Sequence, residues 1–307
     1  MYNVVINRIP RGAKRFEEPL YHQASHRKLQ APEGWRSYYL VNDRLNAVEA
    51  SLHFLLKGNF AMSPARAPFG GMATARVVAR KAVEHFFHCI LADLKDRGIQ
   101  KVKIRTEPQI VQHPSIQEKV LLDNGFECEF SESSSLIPVR SGWRKRFHRS
   151  EQKRLRKCEL LHYRFDEFLP DDLKRVYSFI NSCRTRKGYE LSLRWSEIQK
   201  LKNKYPERIK CFGVWDGDKL IAAALTLVVS KVTLYDFYHD HDDAYDSMSP
   251  IVMLMDGMIG WSLESKFQRI DLGTSMLGDQ INAGLHRFKL RLGALPAERK
   301  TWIKVLA

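Results

Sequence analysis

The 307-residue chain predicts an α/β protein (α+β in detail, with mixed sheets) built as two successive units. Three observations carry this. Short runs rich in aromatic and β-branched residues alternate with longer segments of helical period. Polar turns join some strands as antiparallel neighbours, whereas helical crossovers between others require a parallel pair. The first half also shows the later part of the series of elements that the second half runs through, without a residue-by-residue repeat.

The first half opens on VVINRI, a short edge strand, followed by an irregular lead-in to residue 34 that carries Pro10, Gly12, Pro19 and Pro32. Residues 35–41 (WRSYYLV) and 48–57 (VEASLHFLLK) read as strands about a polar turn. A loop ending in Gly70-Gly71 then runs into a helix expected over 73–97, with Val77, Val78, Val83, Phe86, Phe87, Ile90, Leu91 and Leu94 at helical spacing and Gly98 as its stop. A Gly-Gly pair at a helix start either holds a phosphate or makes a tight turn. Residues 101–107 alternate as a strand, 114–124 form a short helix, and 126–130 form another strand.

Between the halves lies the basic segment 141–163, with Trp143, Phe147, Leu155 and Cys158 as its thin apolar stripe. Three readings stand: a solvated linker helix, an RNA-facing helix, or a helix resting on a membrane, for which the stripe is thin.

The second half begins with helices over 170–184 and 196–205, the latter with Ser196 as N-cap. Strands 209–215 and 219–229 surround Asp216-Gly217-Asp218, a strong hairpin signal. A third strand (231–239, KVTLYDFYH) leads through the acidic loop HDHDDAYDSMSP into a long helix, 250–266, with Pro250 in its first turn. The strand RIDLG, a polar loop, a short basic helix (GLHRFKLRL) and a last strand over 302–305 complete the chain.

Composition narrows the function. An apolar content of 44% supplies real cores. The longest apolar run, 220–229, is about half of the ~20 residues that span a bilayer. The first residues show no signal-peptide pattern, so a cytoplasmic protein without stable membrane insertion is expected. Five scattered cysteines without a CxxC pair point to free thiols and away from zinc or a disulfide framework. The net charge of +15 implies an anionic partner. It is concentrated at Arg140, Arg144, Lys145, Arg146, Arg149, Lys153, Arg154, Arg156 and Lys157, opposed there by Glu151. Arg144, Arg146, Arg149 and Lys153 are the anion-binding candidates.

Four stretches carry a family resemblance: WRKRFHRSEQKRLRK, DGDKLIAAALTL, SPIVMLMDGMIGWSLE and DLGTS…GLHRFKLRLGA. In this order they resemble the GNAT acyltransferase fold. The pair of units about a basic segment is similar to the tandem-domain Fem-type transferases and their relatives of the CelD/BcsL type, over most of residues 35–296. The resemblance implies two tandem GNAT-like domains: 1–139 (with the irregular lead-in 1–34), a basic linking segment 140–164, and 165–307 with the substrate cleft. It further implies an N-acyltransferase or aminoacyltransferase acting on an amine of a cell-envelope precursor or small metabolite. The co-substrate would be acyl-CoA or aminoacyl-tRNA, with tRNA as a partner and no metal.

Such a site must orient an amine and an ester or thioester, stabilise an oxyanion and accept a proton. No dedicated nucleophile is needed, in keeping with the lack of a GxSxG elbow. Strand-end and loop residues supply the substrate-contact candidates: Tyr235, Tyr238, Asp271, Ser275, Arg184, Arg186 and Tyr189. Asp236 and His239 are the candidate proton acceptors. Regular strand alternation would put Leu234, Asp236 and Tyr238 on one face, and Tyr235, Phe237 and His239 on the other. Lys289 occupies the Lys of the Fem-like Phe-Lys pair, which implies a grip on a substrate carboxylate or phosphate. The consecutive HDHDD residues diverge on a strand and make a poor metal site.

The chain departs from the family in one respect. Members that use acetyl-CoA carry Arg/Gln-x-x-Gly-x-Gly/Ala before the long helix, where this chain has HDHDDAYDSMSP; Arg66–Gly71 in the first half is one residue out of register. An aminoacyl-tRNA donor suits both this loop and the charge, although the long helical arm of some Fem-type proteins is not evident. The reading from a different class is a non-catalytic GNAT-like protein that binds RNA or another polyanion through residues 140–164.

Overall fold

The computed structural model describes residues 1–111 and 115–306. The chain divides into two compact units, Met1–Ser133 together with Ala297–Ala307, and Ser134–Pro296. The basic segment is thus part of the second unit, and the end of the chain belongs to the first.

The first unit contains β1 (Tyr2–Ile6), β2 (Ala13–Lys14), α1 (Ala24–Gln30), β3 (Trp35–Asn42), β4 (Ala47–Lys57), β5 (Phe60–Ser63) and β6 (Met72–Thr74). After these come α2 (Arg80–Asp96), β7 (Lys101–Arg105), β8 (Gln109–Ile110), α3 (Ile116–Asp123) and the start of β9 (Glu127–Pro138). The apolar side chains of α2 (Val83, Phe86, Phe87, Ile90, Leu94) bury against Tyr38, Leu52 and Phe54 of the sheet. Each such side chain is worth roughly 1.5–3 kcal/mol of burial. The predicted parallel crossover is β5 to β7, linked through α2.

Three expectations for this unit need correction. The helix starts at Arg80 and not at 73, because Met72–Thr74 pairs with β4 as a strand and Val77 is 82% exposed. Gly70-Gly71 therefore precedes a strand, and its phosphate-holding reading falls. A Cβ at Gly70 would lie 2.7 Å from the Pro64 nitrogen, so the pair serves a close backbone approach. The lead-in, read as irregular, contains α1. Of the expected 114–124 helix, Pro114 lies outside the described residues, and Ser115 caps α3 by accepting from the Glu118 N–H.

The second unit contains α4 (Arg149–Leu160), β10 (Arg164–Glu167), α5 (Leu173–Arg186), α6 (Trp195–Lys204), β11 (Ile209–Asp216), β12 (Lys219–Ser230) and β13 (Thr233–His241). It continues with α7 (Pro250–Glu264), β14 (Arg269–Thr274), the small hairpin β15 (Met276–Leu277) and β16 (Gln280–Ile281), and α8 (Ala283–Arg291). The expected cap of α6 is two residues out: Arg194, and not Ser196, is the N-cap, and Glu197 bonds back to its N–H. Strands run in the order β14-β13-β12-β11-β10, antiparallel except for the β13–β14 pair, with residues 134–138 of β9 beside β14.

Helix α7 is apolar on nearly all sides and packs under this sheet. It tolerates Gly257 in its interior because a Cβ there would stand 2.3 Å from the Phe165 ring. Helix α4 is no free linker: Phe147, Leu155 and Cys158 join the α7 core. Trp143 Nε1 and the Arg144 guanidinium all donate to the buried Asp256 carboxylate of α7, at 2.6–2.8 Å.

The last strand, β17 (Leu295–Val305), returns to the first unit. Its residues Thr301–Val305 pair antiparallel with Lys101–Arg105, and Trp302 is buried in that core.

Candidate active site

The geometry of the site starts from an irregularity in β13. Along β12, Leu225 pairs with Tyr238 but Thr226 pairs with Asp236, so Phe237 is an extra residue, a β-bulge. The bulge overturns the expected faces. Beyond it the alternation resets, and Asp236 and His239 share the face that carries their cross-strand partners Thr226 and Ala224, while Tyr238 turns the other way, towards α5.

Asp236 and His239 consequently meet. The Asp236 Oδ2 lies 2.6 Å from His239 Nδ1. The Asp236 side chain is fully buried, and its Oδ1 has no hydrogen-bond partner among the described residues. The His239 side chain, 21% exposed, reaches a cleft of ≈ 540 Å³. Apolar side chains enter this cleft from α7, the β15–β16 hairpin and α8: Ile251, Met276, Leu285 and Phe288. Cations come from α4 and α5: Arg154, Arg184 and Lys187.

These cations are partly neutralised. Arg154 donates to both oxygens of the buried Glu151 at 2.9 Å, and Lys187 Nζ reaches Asp240 at 2.7 Å and Asp243 at 3.1 Å. Burial alone would lower the Lys187 pKa, but the hydrogen bonds to Asp240 and Asp243 outweigh it and raise it. Arg184 donates to the His239 carbonyl at 3.3 Å and stands 3.8 Å from Asp240. Tyr189 lines the cleft and is half exposed. A second imidazole, His241, also lines it, with Nε2 2.7 Å from Asp246.

The other candidate residues lie elsewhere. Tyr238 is buried, and its hydroxyl meets Ser192 Oγ at 2.6 Å and accepts from the Leu193 N–H at 2.9 Å. Burial raises its pKa. Arg186 pairs with Asp243 at 3.2 Å, outside the cleft lining. Asp271 is buried and accepts from the Gly273 N–H at 2.8 Å. Ser275 is fully buried, and its Oγ has no hydrogen-bond partner among the described residues.

Lys289 is 3% exposed, and its ammonium donates to the carbonyls of Gly273 (3.1 Å) and Thr274 (2.8 Å). Asp271 and Lys289 thus brace one turn at Gly273, whose φ is +66°. Tyr238 points to a different face, so the three side chains do not converge.

Among the anion-binding candidates, Arg144 is held by Asp256, and Arg146 is half-buried and donates to the Pro138 carbonyl. Burial, with Arg140 nearby, lowers the Arg146 pKa. Arg149 and Lys153 stand exposed on α4.

The turn entering α7 fits a pyrophosphate poorly. It has no glycine, Ser249 adopts φ +53°, and Asp246 lines the cleft beside it. Among the described residues no cluster of three or more His, Cys, Asp or Glu is placed to hold a metal. No helix among them is long and apolar enough to cross a membrane. The five cysteines are unpaired.

Sequence reasoning missed Arg154, Lys187 and the hairpin residue Met276. The polar, glycine-punctuated loop after β14 was the one available signal for the hairpin.

Residues 143–290 match the family model described as an acetyltransferase (GNAT) domain. None of the curated protein sequences is significantly similar to the chain. Among solved structures, that of FemX superposes with a TM-score of 0.71 at 13% identity, over 94% of this chain and 92% of its own. The structure of L-PGS from Bacillus licheniformis gives a TM-score of 0.55 at 12% identity, covering 91% and 86%. The C-terminal domain of a putative lysylphosphatidylglycerol synthetase from Agrobacterium fabrum gives 0.55 at 11%, covering 83% and 81%. Residues 143–290 are thus a GNAT-type acyltransferase domain, set in a chain with the fold of FemX.

Proposed function

We propose that the protein transfers an acyl or aminoacyl group from an ester or thioester to the amine of a cell-envelope precursor or small metabolite. One observation carries this reading. The cleft lies wholly within the GNAT-matched residues and opens at the bulged strand, where an imidazole, cations and an apolar wall converge. Amide formation needs those features: a place for the acyl chain, a hold on an anionic portion of a substrate, and a group near the reacting amine.

The donor we favour is an aminoacyl ester such as aminoacyl-tRNA. Asp246 and the glycine-free turn before α7 disfavour the pyrophosphate of CoA, and the exposed cations of α4 suit RNA phosphates. The likeness to FemX and to a domain named for lysylphosphatidylglycerol synthesis supports a cell-envelope acceptor. A cytoplasmic setting accords with such a donor. Of the sequence candidates, Arg184 and Tyr189 contact substrate in this reading, while Lys289, Asp271, Ser275 and Tyr238 shape the site from behind.

The test is a mass-spectrometric transfer screen. Donors are acetyl-CoA, octanoyl-CoA, alanyl-tRNA and seryl-tRNA; acceptors are a lysine-bearing peptide, glucosamine and a nucleotide-linked sugar peptide. New amide in at least one pairing, lost on Arg184→Ala, is the expected result. Absence of amide in every pairing sinks the reading.

The second reading, a polyanion-binding protein without catalysis, has the exposed Arg149 and Lys153 in its favour. It requires that Arg149→Glu with Lys153→Glu abolish RNA binding while no acyl donor is consumed.

A further inference from the structure

We propose that His239 is the catalytic proton acceptor of the cleft, with Asp236 as its positioning residue. This rests on the acyl-transfer reading above and adds to it the identity of the base. The bulge at Phe237 turns an i,i+3 pair, which regular pleating would split between faces, into neighbours on one face. A bulge costs ladder pairing and persists where it re-aims a side chain. Here it aims His239 into the cleft.

The 2.6 Å contact assigns the tautomer. A carboxylate at Asp236 can only accept, and with it Nδ1 carries the hydrogen and Nε2 presents its lone pair. Nε2 has no protein partner among the described residues. The carboxylate is fully buried, and a carboxylate with one oxygen unpartnered is an expensive thing to keep inside a protein. Its function as the anchor of a proton-accepting imidazole accounts for that cost.

His241 makes the weaker candidate. Its carboxylate partner Asp246 is 70% exposed, so solvent screens the pair and leaves the ring less firmly held. The histidines of the first unit show the structural alternative. His22 and His53 are 5% and 3% exposed and line a small recess with Ser63, Pro64 and Gly70.

The step balances without a co-reactant. The acceptor nitrogen attacks the carbonyl carbon and forms the C–N bond. His239 Nε2 takes the proton that the nitrogen must lose. The C–O or C–S bond then breaks with its electron pair on the leaving oxygen or sulfur. The imidazolium returns the proton to that atom, and Asp236 stays ionised throughout.

The experiment compares His239→Ala, His239→Gln, His241→Ala and Asp236→Asn with the wild type, using the donor and acceptor panel above. Expected is a 10²–10⁴-fold fall in kcat for both His239 variants, with acceptor KM within about threefold and added imidazole restoring part of the rate to His239→Ala. His241→Ala should lower kcat at least tenfold less than either His239 variant. Asp236→Asn should lower kcat by about 10–100-fold without moving KM, and ¹⁵N NMR should show the Nδ1–H tautomer of His239 in the wild type.

Should the His239 variants keep a tenth or more of kcat, or lose acceptor binding in step with rate, the base is wrong while acyl transfer stands. An Nε2–H tautomer in the wild type overturns the proposal in the same way. A wild type that makes no amide in any pairing overturns the acyl-transfer reading and this inference with it.

Discussion

The two units put the same side chain to opposite uses. In the first, His22, His26 and His53 sit inside the core. Burial above all pushes their pKa values down, to about 3 for His22 and about 4 for His26 and His53, so they are neutral at pH 7. Tyr21, Tyr39 and Phe69 pack around them in edge-to-face contacts. In the second unit, His239 shows part of its ring to a cleft and leans on a buried carboxylate. An imidazole is a packing group where water is excluded on every side, and a reagent where one nitrogen is anchored and the other is offered.

Acid breaks the comparison most strongly. Each buried histidine has a folded pKa below its unfolded value of about 6.5, so the unfolded state binds more protons as pH falls. The stability they allow is complete above about pH 6.5 and is lost as pH drops towards 4. Three such groups amount to roughly 4–6 kcal/mol by pH 5. Glu18 adds to this at lower pH. Burial raises its pKa, but hydrogen bonds to His53 and Lys14 prevail and bring it to about 2, so its contribution is lost from about pH 4.5 downward. Hydrogen-exchange mass spectrometry across pH 7 to 4 should show residues 35–105 losing protection before residues 209–274. The reverse order would show that burial does not govern these histidines.

A smaller effect concerns the buried amine of the second unit. Lys289→Met should destabilise by about 2–4 kcal/mol, because two carbonyls at the end of β14 lose their donor. Thermal unfolding measures this. A variant with unchanged Tm but a raised KM would return Lys289 to substrate binding.

Next in size is His53→Gln. It removes one of the three titrating groups and should flatten the pH dependence of stability by about one third, read from denaturant midpoints at pH 7 and 5.

The smallest effect on stability belongs to Arg149→Glu with Lys153→Glu, within about 0.5 kcal/mol, since both side chains are solvated. The same pair of changes should weaken heparin or tRNA binding about tenfold or more, with a shallower salt dependence.

Much of the architecture could be read from the residues because the signals were local. Asp216-Gly217 made the hairpin, with Gly217 at φ +56°, and Pro250 opened α7 at its first position. Misreadings arose where the deciding partner was remote. Val77 fits a helical spacing, yet the strand Met72–Thr74 is called out of the helix by β4, some twenty residues earlier. The bulge at Phe237 defeats period-two counting because it is a property of the β12–β13 pairing and not of β13 alone. Asp236 and His239 could therefore be named from the sequence but not joined. Lys289 was named from a family likeness, and its burial depends on carbonyls that lie 15 and 16 residues away.

The return of β17 bears on how the protein is made. Trp302 and its neighbours complete the first unit, but a ribosome delivers them only after all of residues 134–296. The unit that begins to emerge first is thus the last whose sheet can be finished, and until then β7 offers an open edge. Synthesis from the N-terminus usually lets domains fold in turn. Here the second unit can close independently while the first waits, which ties the fate of residues 1–133 to strand β17.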